Sequence, residues 1–475
     1  MNAKNLSFAW MLFVIGLFIV SCSDDTELEN IDELNGETLT AEARGGRGGG
    51  DDRGGRGSNE TRVVEDWIQV FLNVDQFAEG MRPNATARAL AYIHLAAYEV
   101  FAPSSERLQS NESILDGFEV PPLPADDINF QIALNQAYQM TLDHFIINLP
   151  QEQEDLIDEH FAAVMDRLNV DLSETLINNS LAWGASVANE VIAYAQTDVA
   201  AETQILDPQP VSYVPPTGEG YWTFSAEPER ALFPYWGEVR TFIIAPDQTT
   251  SVDPIAYSND PSSPYYQQML DVYEANNEAR EEDGEQLWIA EFWSDDVTGL
   301  MFSPPARQFS IAMQLIDEER MSLSRALQLN VKLGFSLNDA AVSTWKYKYQ
   351  YMVMRPSVFI QDFIDPTYQT NLFRLIPWPN PTFPGYPSGH SAFASAAGGV
   401  FIDFFGNRTN FTDRSHEGRT EFRGEPRRFR SFEQMAAENA YSRIPLGVHI
   451  EIDCTEGLRL GYEIADAVNN YSLTN

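Results

Sequence analysis

The chain has 475 residues, with 30 lysines and arginines against 70 aspartates and glutamates, so its formal net charge is −40 at pH 7. This balance excludes most nucleic-acid binders, which need clustered positive charge to displace counterions, and it disfavours contact with anionic membrane surfaces. A hydrophobic content of 44% excludes a largely disordered chain. The two cysteines, Cys22 and Cys454, cannot form the cysteine clusters of structural zinc sites.

The first residues have the pattern of an export signal. Lys4 precedes an apolar run from Phe8 to Val20, which is short for a membrane span and fits the core of a signal peptide. The run ends in Ile-Val-Ser-Cys22, which resembles a bacterial lipobox. We therefore expect a signal peptide at 1–22 and a lipidated Cys22 on an exported protein. The lipid would anchor it to the bacterial outer membrane, exposed at the surface or in the periplasm. The alternative is an ordinary secretory signal with an incidental cysteine.

Residues 23–62 are acidic at first and then rich in glycine and arginine between Arg44 and Gly57. Arginine-glycine repeats bind single-stranded RNA in other settings. Here they follow an export signal on an acidic chain, so a flexible tether is the favoured interpretation and no nucleic-acid partner is expected.

Beyond residue 63 the apolar residues recur mainly every three or four positions, which predicts helices. Residues 201–265 are rich in proline, glycine and aromatic residues and are predicted to be irregular. No glycine- or serine-rich linker divides the body, so we predict one large all-α domain over 63–475, with long Pro/Gly-rich loops. The predicted helices are Thr86–Phe101, Phe130–Asn148, Gln151–Leu168, Ser173–Ala195, Ser262–Arg280, Gln308–Gln328, Leu337–Tyr351, Ser391–Phe405, Phe432–Ser442 and Gly447–Val468.

Three short segments of the last third carry candidate chemistry. In the first, Lys348 and Arg355 are seven residues apart, which predicts that they share a helix face. Pro356 is expected to close that helix, because the residue before a proline leaves the α region. The pair therefore predicts two cations at one helix end, with a solvated helix face as the alternative.

The second segment, Pro384-Gly-Tyr-Pro-Ser-Gly-His390, precedes a helix of small residues. Free N–H groups at a helix start and a glycine that permits close approach are suited to an anion. Ser388 would add a hydroxyl donor beside the Gly389 N–H, and His390 an acid or base. A purely structural turn is the alternative.

The third segment contains Arg443, His449 and Asp453. Pro445 is expected to break one helix, and His449 is expected near the start of the next, on the same face as Asp453. A carboxylate beside a histidine fixes its tautomer and raises its basicity, which suits a metal ligand or a nucleophile. A capping salt bridge is the alternative.

Taken together, these groups suit one tetrahedral oxyanion. Lys348, Arg355 and Arg443 would supply positive charge, and arginine can bind such an anion through two N–H groups. Ser388 and Gly389 would supply neutral donors. His390 and His449 remain for chemistry.

The combination Lys-x6-Arg-Pro, Pro-Ser-Gly-His and Ser-Arg-x5-His-x3-Asp over residues 345–453 resembles a known superfamily signature. Type-2 phosphatidic acid phosphatases, bacterial acid phosphatases and vanadium-dependent haloperoxidases share it, and every motif position is filled here. The resemblance implies an all-α fold built around four-helix bundles.

The resemblance implies different roles in the two enzyme classes. In a phosphatase, His449 would attack phosphorus and His390 would protonate the leaving group. In a haloperoxidase, His449 would ligate vanadium, and Lys348, Arg355, Ser388, Gly389 and Arg443 would bind the vanadate oxygens. His390 would then be the acid or base that helps hydrogen peroxide bind.

The length of the chain and three further positions favour the haloperoxidases. Trp345 matches a tryptophan beside vanadate. Phe383 lies where algal bromoperoxidases carry a second histidine, which argues against that subgroup. Asp296 matches an acidic residue that pairs with an active-site arginine, with a plain surface carboxylate as the alternative. A surface lipoprotein of this kind most resembles the bacterial iodoperoxidases.

The leading hypothesis is thus a vanadate-dependent haloperoxidase that oxidises halide with hydrogen peroxide to hypohalous acid. Iodide is the favoured halide and bromide the second. Vanadate is the expected cofactor, and phosphate is expected to fit the same site in the apo form. The alternatives are a phosphomonoester hydrolase with His449 as nucleophile, and a non-catalytic surface lipoprotein that keeps an anion pocket. The oligomeric state is not assigned.

Overall fold

The helical pattern of the sequence is realised throughout the part of the chain that can be described. The computed structural model describes residues 60–474 except 283, 296 and 375–379. The predicted signal peptide, its lipobox and residues 23–59 of the predicted tether lie outside these residues. Every described residue belongs to one compact unit.

Fourteen α-helices and one short β-hairpin form the described part, so the predicted all-α class is confirmed. The hairpin pairs β1 (Phe411–Asp413) with β2 (Arg427–Phe429), antiparallel, with Phe411 opposite Phe429. The helices are α1 (Arg62–Asp75), α2 (Asn84–Phe101), α3 (Phe130–Phe145), α4 (Gln151–Leu168), α5 (Glu174–Gln196), α6 (Val199–Leu206), α7 (Pro264–Glu282), α8 (Glu285–Phe292), α9 (Pro304–Glu318), α10 (Leu323–Tyr351), α11 (Pro356–Phe363), α12 (Gly389–Phe405), α13 (Phe432–Leu446) and α14 (Glu451–Asn470).

Serine side chains define where many of these helices begin. A serine before the first turn accepts a hydrogen bond from a backbone N–H that has no partner within the helix. Ser173, Ser303, Ser388 and Ser431 do so ahead of α5, α9, α12 and α13. The start of α12, which carries the candidate site, is therefore fixed by its own cap.

Two groups of helices pack along the long central helix α10. Helices α1 to α5 form the N-terminal group, in which α2 contacts α10 directly, and α12, α13 and α14 form the C-terminal group. Helices α12 and α14 come very close together, because a Cβ at Gly461 of α14 would lie 2.3 Å from the Ala392 carbonyl oxygen of α12. This contact brings the N-terminal ends of α12 and α14 to the same end of the bundle.

The predicted boundaries hold for some helices and fail for others. The helix at Gln151–Leu168 has the predicted ends. The predicted helix Gln308–Gln328 is wrong, because α9 ends at Glu318 and α10 begins only at Leu323, with Arg320 between them in the left-handed region at φ 48°. Residues 201–265 are mostly irregular, as predicted, apart from the end of α6, a 3₁₀ turn at Trp236–Glu238 and the first two residues of α7.

None of the helices in the described residues combines the length and the apolar character that crossing a membrane would require.

Candidate active site

The residues singled out by the three motifs converge at one end of the C-terminal helices. Helix α10 contributes its last turns, α12 its first turn and α13 its last turn, while the remaining residues lie in the connections between helices. All the cationic and histidine side chains of the group are buried; the list is Lys348, Arg355, His390, Arg443 and His449. Their burial makes each polar contact decisive, because an unpaired buried charge is costly.

Lys348 fastens the proline-rich turn to helix α10. Its Nζ donates to the carbonyl oxygens of Pro384 at 3.0 Å, Gly385 at 2.8 Å and Pro387 at 2.5 Å. Burial lowers the pKa of Lys348 well below its usual value, and the neighbouring Arg355 lowers it further. The three carbonyl oxygens stabilise the charged ammonium form of Lys348, which is the form that attracts an oxyanion.

Arg355 lies on a different element from Lys348, which corrects the prediction that they share a helix face. Helix α10 ends at Tyr351, Met352 adopts the left-handed conformation at φ 52°, and Pro356 begins α11 instead of closing α10. Arg355 itself is extended (φ −76°, ψ 145°), as expected for a residue before proline. Its Nε donates to the Phe383 carbonyl at 2.9 Å and its Nη1 to the Val448 carbonyl at 3.0 Å.

The Ser-Gly-His turn forms the start of α12, as predicted. Ser388 is the N-cap and accepts from the Ser391 N–H, while Gly389 and His390 occupy the first turn. A Cβ on Gly389 would lie 3.2 Å from the Trp345 ring, so the Trp345 ring packs closely against this glycine. His390 Nε2 lies 3.2 Å from the Ser294 carbonyl oxygen, which can only accept, and so Nε2 carries the proton.

Arg443 lies in the last turn of α13. The helix continues through Pro445 to Leu446 and ends at Gly447 in the left-handed region (φ 92°), so the predicted break at Pro445 is wrong by one residue. The guanidinium donates to the carbonyl oxygens of Trp293 and of Ser294, the latter at 3.4 Å. Its Nε donates to the Ser442 hydroxyl at 3.1 Å.

His449 precedes helix α14 instead of lying on it, because α14 begins at Glu451. Its Nδ1 donates to Asp453 Oδ2 at 3.0 Å, and the same carboxylate oxygen accepts from the Ile450 N–H at 3.3 Å. Asp453 is thus both the histidine's partner and the carboxylate that caps α14. With the proton on Nδ1, Nε2 keeps its lone pair, which faces Arg355 Nη1 at 3.2 Å.

Arg355, His390, Arg443 and His449 line a small cavity of about 20 Å³, and Lys348 and Ser388 lie outside its lining. Its lining residues are Pro83, Trp345, Arg355, Pro381, Phe383, Gly389, His390, Phe393, Arg443, Val448 and His449. A volume of this order holds a water molecule or a small ion.

The electrostatics of the cavity favour an anion. Burial lowers the pKa of both His390 and His449 well below the usual value, with the next largest contribution from Arg443 for His390 and from Arg355 for His449. Burial raises the pKa of Asp453, and Lys348 and Arg355 oppose that rise. Both histidines are therefore neutral at pH 7, and the positive charge of the site comes from Lys348, Arg355 and Arg443. A tetrahedral oxyanion fits this donor set.

Trp345 and Phe383 form one apolar wall of the cavity, with ring centroids 4.8 Å apart. The Phe383 ring also lies 4.8 Å from the Arg355 guanidinium carbon. Asp296 lies outside the described residues. Its neighbour Asp295 is buried and forms an ion pair with Arg307, Oδ1 to Nη1, at 3.6 Å.

Sequence reasoning assigned no role to the backbone of Trp293 and Ser294 or to Pro83. The carbonyls of Trp293 and Ser294 orient Arg443 and His390, and backbone atoms carry no residue-type signal. Pro83 reaches the cavity from the N-terminal helices. A second cavity of about 310 Å³ shares Pro83, Pro381 and Phe383 with the first and leads towards solvent.

Comparison with known proteins identifies structures with a similar fold. Residues 328–474 match the family model described as VCPO second helical-bundle domain. The fold is similar to the crystal structure of the first bacterial vanadium-dependent iodoperoxidase, with a TM-score of 0.77, 24% identity, and coverage of 87% of this chain and 97% of that one.

Two further structures of a bacterial vanadium-dependent chloroperoxidase are also similar. The holo form has a TM-score of 0.63, 16% identity and coverage of 82% and 92%, and the apo form has a TM-score of 0.63, 15% identity and coverage of 82% and 94%. No curated protein matches the chain in sequence. The chain therefore has the fold of these vanadium-dependent peroxidases, and residues 328–474 match the model of the second helical-bundle domain.

Proposed function

We propose that the protein is a vanadate-dependent haloperoxidase that oxidises halide with hydrogen peroxide to hypohalous acid. One observation carries the proposal. His449, whose Nε2 has no proton because Nδ1 donates to Asp453, lines a small cavity together with Arg355 and Arg443. A neutral imidazole with its lone pair directed at a bound oxyanion is the arrangement that a vanadium ligand requires.

Different residues of the site would bind the oxygens and the metal of vanadate. Arg355, Arg443, the Ser388 hydroxyl and the Gly389 N–H would hold its oxygens, and His449 Nε2 would hold the metal. Lys348, whose three N–H groups donate to carbonyl oxygens, would contribute its positive charge. Vanadate would supply Lewis-acid activation of hydrogen peroxide without a change of its own oxidation state.

His390 is placed for proton transfer. Its Nε2–H donates to the Ser294 carbonyl, which leaves Nδ1 as the nitrogen that can accept a proton. Because burial and Arg443 keep the unliganded imidazole neutral, Nδ1 can take a proton from the incoming peroxide and return it later.

Iodide is the halide that we propose, with bromide as a second substrate. The support is similarity: the iodoperoxidase structure has a TM-score of 0.77 against 0.63 for the chloroperoxidase structures. Phe383, in the wall of the cavity, contributes no hydrogen-bond donor of its own to the site.

The test is a reconstitution assay on the full chain. The protein is stripped of phosphate, divided, and one half is reloaded with vanadate before hydrogen peroxide is added with iodide, bromide or chloride. We expect vanadate-dependent oxidation in the order iodide, then bromide. Ester hydrolysis by the apo half is measured in parallel, because a phosphatase would use the same His449 and Asp453. Strong hydrolysis without vanadate-dependent halide oxidation would contradict the proposal.

A further inference from the structure

A short turn beside the cavity orients two of its residues without contributing a side chain to it. We call residues Phe292–Asp295 the carbonyl turn. The Ser294 carbonyl oxygen accepts from both His390 Nε2 at 3.2 Å and Arg443 Nη1 at 3.4 Å, and the Trp293 carbonyl accepts from Arg443 Nη2. The directions of the acid–base histidine and of one anion-binding arginine therefore depend on where this turn lies.

Arg307, from the first turns of α9, holds the carbonyl turn from behind. Its guanidinium carbon lies 4.5 Å from the Phe292 ring and 4.9 Å from the Trp293 ring. Its Nη1 also lies 3.6 Å from Asp295 Oδ1. Arg307 thus contacts three of the four residues of the turn, while its Nη1 and Nη2 groups lie outside the lining of the cavity.

Arg307 is in turn held by residues around β1. Asp413 Oδ2 accepts from Arg307 Nη2 at 3.0 Å and from Nε at 3.3 Å, and Asp413 Oδ1 accepts from the Ser415 N–H at 2.9 Å. His416 Nε2 contacts Arg307 Nη1 and lies 3.1 Å from the Phe292 carbonyl oxygen. Arg307, Asp295 and Asp413 all have an exposed fraction of 0%.

A contribution to the free energy of folding does not by itself explain why these charges are buried together. The cost of desolvating the ions can exceed their attraction, and apolar replacements are often neutral or stabilising. The cluster does fix the position of the Arg307 guanidinium. A planar guanidinium that forms hydrogen bonds along its edge and stacks on rings with its face has few alternative positions. The turn that it fixes is the one that supports Arg443 and His390.

We propose that Arg307, held by Asp413, is a positioning residue for the oxyanion site and acts through the carbonyl turn on Arg443 and His390. The inference rests on the proposed oxyanion site and not on which halide is oxidised. Its consequence is that anion affinity depends on a residue that never touches the anion.

The test measures the Kd for orthovanadate by isothermal titration calorimetry on the full chain. Arg307→Met, which keeps the length and removes the charge, is expected to raise the Kd about 10- to 100-fold, as the loss of a group supporting a metal ligand typically does. Arg307→Lys is expected to recover part of the loss. Asp413→Asn keeps Arg307 and removes its charged partner, and is expected to raise the Kd about 10-fold; it serves if Arg307→Met does not fold.

A double-mutant cycle separates positioning from general damage. If Arg307 acts through Arg443, the effect of Arg307→Met shrinks to less than about threefold in an Arg443→Lys background, because contacting residues are not additive. Arg88→Met is the matched control, since Arg88 is also buried and ion-paired, with Glu202 at 2.8 Å, but belongs to the N-terminal group. Its Kd is expected to stay at the wild-type value.

The outcomes are distinguishable. A Kd for Arg307→Met within threefold of wild type, or an equal loss in both backgrounds, overturns the inference. Tight orthovanadate binding by the wild type without halide oxidation would instead contradict the proposed function and leave the positioning role standing.

Discussion

The role that we propose for His449 depends on which of its two ring nitrogens carries a proton. Its Nδ1–H donates to Asp453 Oδ2 at 3.0 Å, and this contact leaves Nε2 with a lone pair, which faces Arg355 Nη1 at 3.2 Å. The carboxylate also caps α14, so the tautomer is tied to the start of a helix. The orientation of the His449 ring is therefore set by the start of helix α14 as well as by the Asp453 side chain.

The first prediction is that His449→Ala abolishes vanadium retention. The cations would still attract vanadate, but the bond to nitrogen would be lost and the anion would exchange freely. Vanadium per protein after gel filtration, measured by elemental analysis, is expected to fall from about one to near zero. His160→Ala, a half-buried histidine of α4 that packs against Trp67, is the control and should retain the metal. Normal stoichiometry in His449→Ala would remove His449 as the ligand.

Glu99, at the end of α2, leads to a second prediction about stability and pH. Its buried carboxyl accepts from Asn111 N–H at 2.8 Å and from Asn111 Nδ2 at 2.7 Å, and burial raises its pKa from 4.5 to about 7. The folded state thus binds the proton more tightly than the unfolded state. The free energy of unfolding should fall as pH rises from 4.5 through 7, by about 3 kcal/mol for this group at 1.36 kcal/mol per pKa unit.

The measurement is urea unfolding of the wild type and of Glu99→Gln at several pH values. The variant keeps an oxygen acceptor but cannot ionise, so its stability should vary less over this window and exceed that of the wild type above pH 7. Parallel pH curves for the two proteins would contradict the assigned pKa.

At the scale of single residues, the sequence predicted those candidate residues that are defined by side-chain type and spacing. All the motif residues that the structure describes lie around or beside one cavity. What the spacing could not provide was orientation: the Nε2 lone pair of His449 and the carbonyls of Trp293 and Ser294 are set by the backbone. Asp413 could not be singled out, because it is one of 70 acidic residues and its role depends on a contact with distant Arg307.

At the scale of elements, Asp339 of α10 attaches an irregular segment to the central helix. Its carboxylate accepts from the backbone N–H groups of Phe242 at 2.8 Å, Ile243 at 2.8 Å and Ile244 at 3.0 Å. The Phe242 ring stacks on Phe335 of the same helix at 4.2 Å. A segment with no secondary structure of its own is thus held by a side chain of a regular one.

We therefore predict that Asp339→Asn lowers the free energy of unfolding by about 3 kcal/mol, since the amide directs its own N–H groups at donors that it cannot satisfy. Denaturant unfolding of the variant measures this loss. Asp247→Asn, an exposed aspartate of the neighbouring loop, is the matched control and should change stability by less than about 0.5 kcal/mol. Equal stability of the two variants would contradict the assigned role of Asp339.

The helix ends near the site mark the limit of prediction for elements. Proline predicted a boundary correctly at Arg355, whose backbone is extended, but Pro356 begins a helix because proline is well tolerated in a first turn. Pro445 lies inside the last turn of α13, where Gly447 and not the proline ends the helix. Local sequence indicates that a boundary is near, and packing decides on which side of the proline the helix lies.

At the scale of the whole molecule, the charge distribution predicts a dependence on salt. The chain has a net charge of −40, and the positive charges of the site are buried. Halide approaching the protein is repelled until it nears the cavity, whereas neutral hydrogen peroxide is not. Raising the ionic strength shortens the range of this repulsion to about 10 Å at 0.1 M.

For the vanadate-loaded protein we expect kcat/KM for iodide to rise severalfold between 10 mM and 200 mM of a non-inhibiting salt. The value for hydrogen peroxide should remain constant in the same assays and provides the internal control. A fall for iodide with increasing salt would show that local positive charge at the entrance outweighs the acidic surface.

The sequence predicted the all-α class for the whole molecule but not how the helix groups meet. Periodicity reports which face of a helix is apolar, and it does not name the partner. The close contact of Gly461 with α12 and the entry of Pro83 into the cavity both depend on pairings between distant segments. Resemblance over residues 345–453 predicted the site residues, while the second cavity beside them required the structure.

The scattered origin of the site has a consequence for the dynamics of the protein. Its walls come from the end of α10, the turn fastened by Lys348, the start of α12, the last turn of α13 and the connection that carries His449. An anion that bonds to all of them opposes the local opening of any one, and at 100 times its Kd it stabilises the folded state by about 2.7 kcal/mol. Amide hydrogen exchange should therefore slow in all these segments together when vanadate binds. The bound anion would then hold the segments at this end of the bundle together, in addition to its chemical role.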